Sequence, residues 1–546
     1  MPHAVTTLQA GLPGVRSASV APPFDRPADR EDRFFRSYAD RLAEAGWVAD
    51  VDYGYTGRER YLFAPGSPRP PVILLDGFPA DLGWVASGAL EGWGGDLDGG
   101  GRASWPDGPG PHLPGGVLAL SRYPAGDGSL LARLTLHASD VGAQDARVHF
   151  ARRDAGSEWA SSFGTRKEVA SYLVEEYRAR GLALAGARRA RWGRWRVSLL
   201  SSTSDVVDYS PDFTGDKTRR ELVRLGAGAS SRDSVVCAWV VLGSAGDGSG
   251  REPRRAAAVR FAPRGLPLGG ALGLSVQRDS SGGARATVQG SVGAPGWEAA
   301  ASLDATRPDG RPRLLQLRGS ATRALSGGWN MAFEGSWSAE ISTPPGAGQG
   351  GGLSMLRVEP RLQWRAGRAR AEMSVFVERD KGLDREPALE AYSTLAPAAV
   401  RDARSLGLRA RAEIPGILRT RWGVSGFVQR TRDERGWRLP YQPPYAAHAF
   451  VAADRRTPLL PLDAHLRLTA HAEGERRGEN DVPAAAHVTL DFETVLDYGQ
   501  LHGQFGFYNF TDLGYETTFT IPGRPTLAAP APGRSFRFGI TWDLWN

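Results

Sequence analysis

The chain ends in Phe536-Arg-Phe-Gly-Ile-Thr-Trp-Asp-Leu-Trp-Asn546. In an extended strand Phe536, Phe538, Ile540, Trp542 and Leu544 share one face, while Arg537, Gly539, Thr541 and Asp543 share the other. An aromatic face backed by a polar one suits a strand with lipid on one side and a polar lumen on the other. A half-buried strand of a soluble protein has the same period, so the rest of the chain must decide.

Composition narrows the choice. The 546 residues have room for several ordinary domains, or for one large barrel with a smaller partner. No apolar run approaches the about 18 residues that a transmembrane helix needs. The mean hydropathy of −0.34 is compatible with a membrane barrel, because apolar-out, polar-in strands average to nearly nothing. One cysteine, Cys237, excludes an internal disulfide framework, a multi-cysteine zinc site and a redox pair. It lies in Val235-Val-Cys-Ala-Trp-Val-Val-Leu242 and reads as a small apolar residue. The net charge of +7 is carried by arginine, with lysine only at 167, 217 and 381. These cations are spread along the chain, which argues against a nucleic-acid partner.

Residues 17–31 are rich in Pro, Asp, Arg and Ala and read as a flexible segment. Phe34, Phe35, Tyr38, Leu42 and Ala45 recur at helical spacing, so an amphipathic helix is expected over 32–45. Tyr61-Leu-Phe63 and Val72-Ile-Leu-Leu75 read as short strands. The Gly-, Pro- and Asp-dense stretch from Gly92 to Gly116 reads as loop. Asp96 and Asp98 within it lack the spacing of a calcium loop, so no metal site is expected there.

From about residue 117 short alternating segments persist to the C-terminus. Leu134 and Leu136 oppose Arg133, Thr135 and His137; Val148 and Phe150 oppose Arg147 and His149. Trp195, Val197 and Leu199 oppose Arg194, Arg196 and Ser198, and Leu466, Leu468 and Ala470 oppose Arg467, Thr469 and His471. Turn clusters such as Asp279-Ser-Ser-Gly-Gly-Ala284 and Pro308-Asp-Gly310 separate such segments. Residues 166–180 fit either a helix or a strand with a loop. The pattern allows about twenty antiparallel strands, and a sheet of that size must close or split to protect its edges. Its unbroken run favours one closed barrel.

Two regions carry a family resemblance. Near the end the chain reads Asn509-Phe-Thr-Asp-Leu-Gly-Tyr515, followed by Pro532-Gly-Arg-Ser-Phe536 and the last strand. This resembles the closing hairpin of TonB-dependent outer-membrane receptors, in which an "N-L-x-D-x-x-Y" element precedes a "P-G-R-x-F" loop. Asn509, Asp512, Tyr515, Pro532, Gly533 and Arg534 match, with Phe510 in place of the leucine. Upstream, Pro71-Val-Ile-Leu-Leu-Asp-Gly-Phe-Pro79 resembles a strand and turn of the same family's plug domain, through Asp76, Gly77 and Pro79. Gly115-Gly-Val-Leu-Ala-Leu120 resembles the last plug strand, with Gly115 and Gly116 leading it.

The resemblance implies an all-β fold: a large antiparallel transmembrane β-barrel of about 22 strands with a small N-terminal α+β plug remnant. Its parts would be a flexible segment over 1–31, an incomplete plug-like domain over 32–120 and a barrel over 121–546. It implies an outer-membrane receptor taking up a bulky scarce nutrient, such as a metal chelate, cobalamin or a glycan. The implied partners are that small-molecule ligand, the TonB complex, outer-membrane lipid and the barrel-assembly machinery, which would read Phe536, Phe538, Ile540, Trp542 and Leu544. No cofactor is expected. No H-E-x-x-H, Walker loop, G-x-S-x-G elbow or C-x-x-C points to an enzyme. His465 and His471, six strand residues and about 20 Å apart, are too distant to share a metal.

Two features depart from the family pattern. Met1-Pro-His-Ala-Val-Thr-Thr-Leu-Gln-Ala10 has neither the basic region nor the apolar core of a secretory signal, and no TonB box is visible. A misassigned start site, a fragment and a chain not bound for the outer membrane all fit that. Trp545 and Asn546 also run past Leu544, which has the phase of the family's terminal aromatic. A passive or non-transporting surface barrel is therefore one alternative. A soluble all-β adhesive or carbohydrate-binding protein is the other.

Overall fold

The computed structural model describes the strands from Leu130 to Trp545 with the shorter turns that join them, and six short strands between Val48 and Ser121. The 32–45 helix, the Asp76-Gly77 turn, Gly115 and Gly116 lie outside the described residues.

From Leu130 onward the strands form one closed barrel of 22. They range from eight residues (Leu501–Tyr508) to 17 (Val174–Ala190), and until the ring closes every joint is antiparallel between strands that follow one another in sequence, two of the joints skipping a small hairpin. Closure pairs the last strand, Ser535–Trp545, with the first, Leu130–Ser139, in a register that sets Ile540 opposite Leu136. At its far end the register slips between Asp543 and Trp545, and Trp545 faces Ala132. The overrun past the expected terminus is thus accommodated by a bulge that keeps Trp545 paired. Two small hairpins, Arg476–Arg477 with Pro483–Ala484 and Glu516–Phe519 with Leu527–Pro530, are appended to the ring.

Period-two alternation decides which face each residue takes. On the last strand Phe538, Ile540 and Trp542 are exposed outside, whereas Ser535, Gly539, Thr541 and Asp543 are buried inside. On Ser354–Ala366 Leu356 and Pro360 face out, and Met355, Arg357, Glu359 and Arg361 face in. The outward wall is a continuous apolar belt that water would penalise and hydrocarbon would not. Closure leaves no backbone edge to be satisfied by lipid.

The two rims differ. The two-residue turns 191–192, 367–368 and 499–500 lie at one rim, and the longest connections, 382–401 and 509–534, lie at the other. The short-turn rim carries an aromatic girdle of Trp159, Trp195, Trp297, Trp329, Trp422 and Trp542, each 40–50% exposed. In outer-membrane barrels the short turns face the periplasm, and aromatic girdles lie at both interfaces.

Two segments differ from the sequence expectation. Gly99–Ser104, read as loop, is a strand paired with Val117–Ser121, with a bulge between Gly99 and Arg102. Backbone pairing to a neighbour outweighs glycine's poor strand propensity there. The ambiguous 166–180 region is strand, the ends of Ser157–Ser171 and Val174–Ala190, paired in register from Val174↔Ser171 down to Arg188↔Ser157. In the N-terminal part a four-stranded sheet runs in the order Phe78–Pro79, Val72–Leu75, Val117–Ser121, Gly99–Ser104. Its two middle strands are parallel, Val72 opposite Val117 and Leu75 opposite Leu120. Pro79 sits on an edge strand, where its missing N–H leaves no ladder bond unmade.

Candidate functional site: the inner wall of the barrel

Alternation delivers charged residues to the lumen in rows, and the densest row is on the strands Trp329–Ile341, Ser354–Ala366, Ala369–Lys381 and Asp402–Pro415. Glu334 and Glu359 are directly opposite one another, which by itself would be repulsive. Arg361 resolves this by donating to both, 3.0 Å to Glu334 and 3.1 Å to Glu359. Glu359 also accepts from Arg357 at 2.8 Å and from Arg409 at 2.7 Å. Arg357 in turn pairs with Glu378. Glu359 is 0% exposed and Arg357 1%. One carboxylate with three guanidinium partners is a tightly coupled unit, because in a buried setting each charge needs the others.

A second network runs around the wall near the short-turn rim. Asp454 meets His465 at 2.7 Å, and the other ring nitrogen of His465 meets Asp497 at 3.0 Å. His502 joins Asp497 at 2.7 Å and Asp543 at 3.3 Å, and Arg133 donates to Asp543 at 2.6 Å. This chain of contacts crosses six consecutive strands and passes through the closing seam. One step higher, His137 and Gln504 meet at 2.7 Å, and Gln504 donates to Thr541 at 3.3 Å.

The closing hairpin is tied by the residues that carried the resemblance. Asn509 and Asp512 both adopt positive φ (46° and 55°), which short polar side chains tolerate best. The Asn509 N–H donates to Asp491, and its side-chain amide donates to the Leu513 carbonyl at 3.0 Å. Asp512 accepts the Arg534 N–H at 2.8 Å, so the two halves of the motif meet across the loop. Gly533 lies against the same carboxylate: a Cβ there would stand 2.8 Å from Asp512 Oδ1. Tyr515 and Pro532 lie outside the described residues. Asp140, at the end of the first barrel strand, accepts the Phe536 N–H at 2.9 Å and returns its own to the Phe536 carbonyl.

Known proteins of similar shape share this fold. No family model and no curated protein matches the sequence. Solved structures do. The chain is similar to the siderophore receptor PirA from Acinetobacter baumannii (12% identity, 93% of this chain and 96% of that one, TM-score 0.63). It is similar to the FrpB iron transporter from Neisseria meningitidis (10% identity, 94% and 98%, TM-score 0.68) and to the copper transporter OprC (12%, 93% and 98%, TM-score 0.68). This chain has the TonB-dependent receptor fold.

Within that receptor fold the inner wall holds more than the sequence suggested. Arg224, Arg357 and Arg467, on the polar face of their strands, are at most 1% exposed. The Arg357-x-Glu359-x-Arg361 spacing was the available signal, since residues two apart share a strand face. A repeated aromatic device was not legible. Phe376 lies over Gly407, where a Cβ would come within 2.4 Å of its ring, and the Arg357 guanidinium stands 5.2 Å from the ring centre. Phe450 lies over Gly423 in the same way, with Arg467 at 3.9 Å. His465 faces the lumen as expected, and so does His471, which meets Asp491 at 3.1 Å. Among the described residues no group of three or more His, Cys, Asp or Glu is placed to hold a metal ion.

Proposed function

We propose that this chain is a bacterial outer-membrane receptor that takes up a bulky, scarce nutrient with energy delivered by the TonB complex. The observation that carries the reading is the buried, charged inner wall. A barrel of 22 strands is wide enough for an aqueous channel or a plug. In an open channel the wall side chains would be wet, yet Glu359, Arg224 and Arg467 are 0–1% exposed. That supports a filled lumen over a passive pore. The transport-linked names of similar structures, a siderophore receptor, an iron transporter and a copper transporter, favour a metal chelate over cobalamin or a glycan.

On this reading residues 32–120 are the plug and 121–546 the barrel. Asp76, Gly77, Pro79, Gly115 and Gly116 shape the plug, and Asn509 to Arg534 fasten the last hairpin. Phe536, Phe538, Ile540, Trp542 and Leu544 are the face read by the barrel-assembly machinery, with outer-membrane lipid around them. The test has two arms. In planar bilayers the full chain is expected to be silent; steady ion conductance without TonB would mean a passive barrel. In cells, uptake from a panel of labelled ferric chelates should require both this chain and TonB, and uptake unaffected by TonB loss would overturn energised transport.

A further inference from the structure

Toward the long-loop rim the outward face changes from apolar to cationic within a few residues. Arg379, Arg404 and Arg432, on three adjacent strands, are directly opposite one another in one cross-strand row. Lys381 and Arg430 flank the row on the same outward face. Neighbouring strands are about 4.8 Å apart, so three like charges are held within about 10 Å. Like charges directly opposite are destabilising unless an anion lies between them.

None of the described residues supplies that anion. Among the described residues no ion pair involves Arg379, Arg404 or Arg430, and Arg432 donates to the Gly436 carbonyl. Carboxylates on that rim are otherwise engaged. Asp402 is level with Lys381, Glu434 accepts the Asp402 N–H, and Asp433 accepts the Arg435 and Trp437 N–H groups. Elsewhere on the same rim the chain does alternate signs: Arg178, Asp205 and Arg219 form a row with the carboxylate in the middle, and Arg219 also meets Glu221 at 3.0 Å. The three-arginine row has no such carboxylate in its middle. Toward the belt come Val377 and Leu406 beside Arg430, and then a wholly apolar row of Val375, Leu408 and Val428, all exposed outward.

Clustered guanidinium groups above an apolar wall match one kind of occupant. We propose that Arg379, Arg404 and Arg432 bind the phosphorylated headgroup of an outer-leaflet lipid whose acyl chains lie along Val375, Leu408 and Val428. Guanidinium forks suit phosphate oxygens, and a headgroup with two phosphates spans the row. The inference rests on the outer-membrane reading of the barrel, which puts this rim in the outer leaflet.

Native mass spectrometry of the refolded full chain tests it, with bisphosphorylated lipid A, dephosphorylated lipid A and inorganic phosphate as probes. Retention of the bisphosphorylated lipid is expected. It should weaken about five-fold for each arginine changed to glutamine, and on the order of a hundredfold for Arg379→Gln, Arg404→Gln and Arg432→Gln together. Arg152→Gln, an outward cation near the opposite rim, should leave it unchanged. If the triple variant does not fold, Arg404→Gln alone carries the comparison. Equal retention by native and variant chains, equal retention of the two lipids, retention of inorganic phosphate alone, or no lipid retained would each overturn the proposal. Lipid retention requires only a folded barrel, so it can fail while TonB-dependent uptake succeeds, and the reverse.

Discussion

Glu359 is buried among Arg357, Arg361 and Arg409 and stands opposite a second carboxylate, Glu334. Replacing it with glutamine removes the one charge that all three cations share. The expected loss is about 3–5 kcal/mol of barrel stability, the usual consequence of stranding buried charge. It would be read as a lower urea midpoint for loss of the heat-modifiable band on a gel; a shift indistinguishable from native would mean water screens the cluster. Asn509 and Asp512 stood out in the sequence only through the family resemblance; in the structure both take positive φ, and the Asn509 amide closes the turn on the Leu513 carbonyl. The role of Glu359 was not legible, since Arg409 lies 50 residues away and only the strand register brings them together.

At the level of elements, the strands were legible and their inner packing was not. Alternation alone assigns Phe538, Ile540 and Trp542 to the outside and Thr541 and Asp543 to the inside, and the barrel places them so. Nothing in a period of two reveals that Gly407 and Gly423 are the empty spaces under Phe376 and Phe450, because each pairing joins different strands. Gly407→Ala should cost about 1–3 kcal/mol by driving a methyl into the Phe376 ring. Phe376→Leu in the same chain should restore part of that loss, so the two changes will not add. Urea midpoints of the two single variants and the double variant measure the coupling. Strict additivity would show that the ring does not rest on the glycine. The Gly99–Ser104 strand teaches the complementary lesson: its composition suits a loop, and a neighbouring strand overrides it.

For the whole molecule, the belt and girdle make a depth scale. Leu408, near the middle of its strand, sits in the apolar belt, and Trp422 sits in the girdle at the short-turn rim. Leu408→Arg is expected to destabilise the folded barrel by about 2–4 kcal/mol and Trp422→Arg by about 0–1 kcal/mol, following the cost of a cation with depth in the bilayer. Refolding midpoints in lipid vesicles check the ordering, and equal losses at the two sites would mean that the hydrocarbon is not centred on the belt. Barrel closure itself was legible from an unbroken run of alternating segments that an open sheet could not support.

The seam between the last strand and the first is one joint among 22, with the same pairing as its neighbours and an Asp140–Phe536 clasp 396 residues apart in the chain. Every other neighbour in the ring is also a neighbour in sequence, or separated only by an appended hairpin. Which two strands come first and last along the ring's path is thus an accident of covalent connection rather than of the ring. A circular permutant, stitched across the seam and reopened at another short turn, would keep every strand beside its present partners.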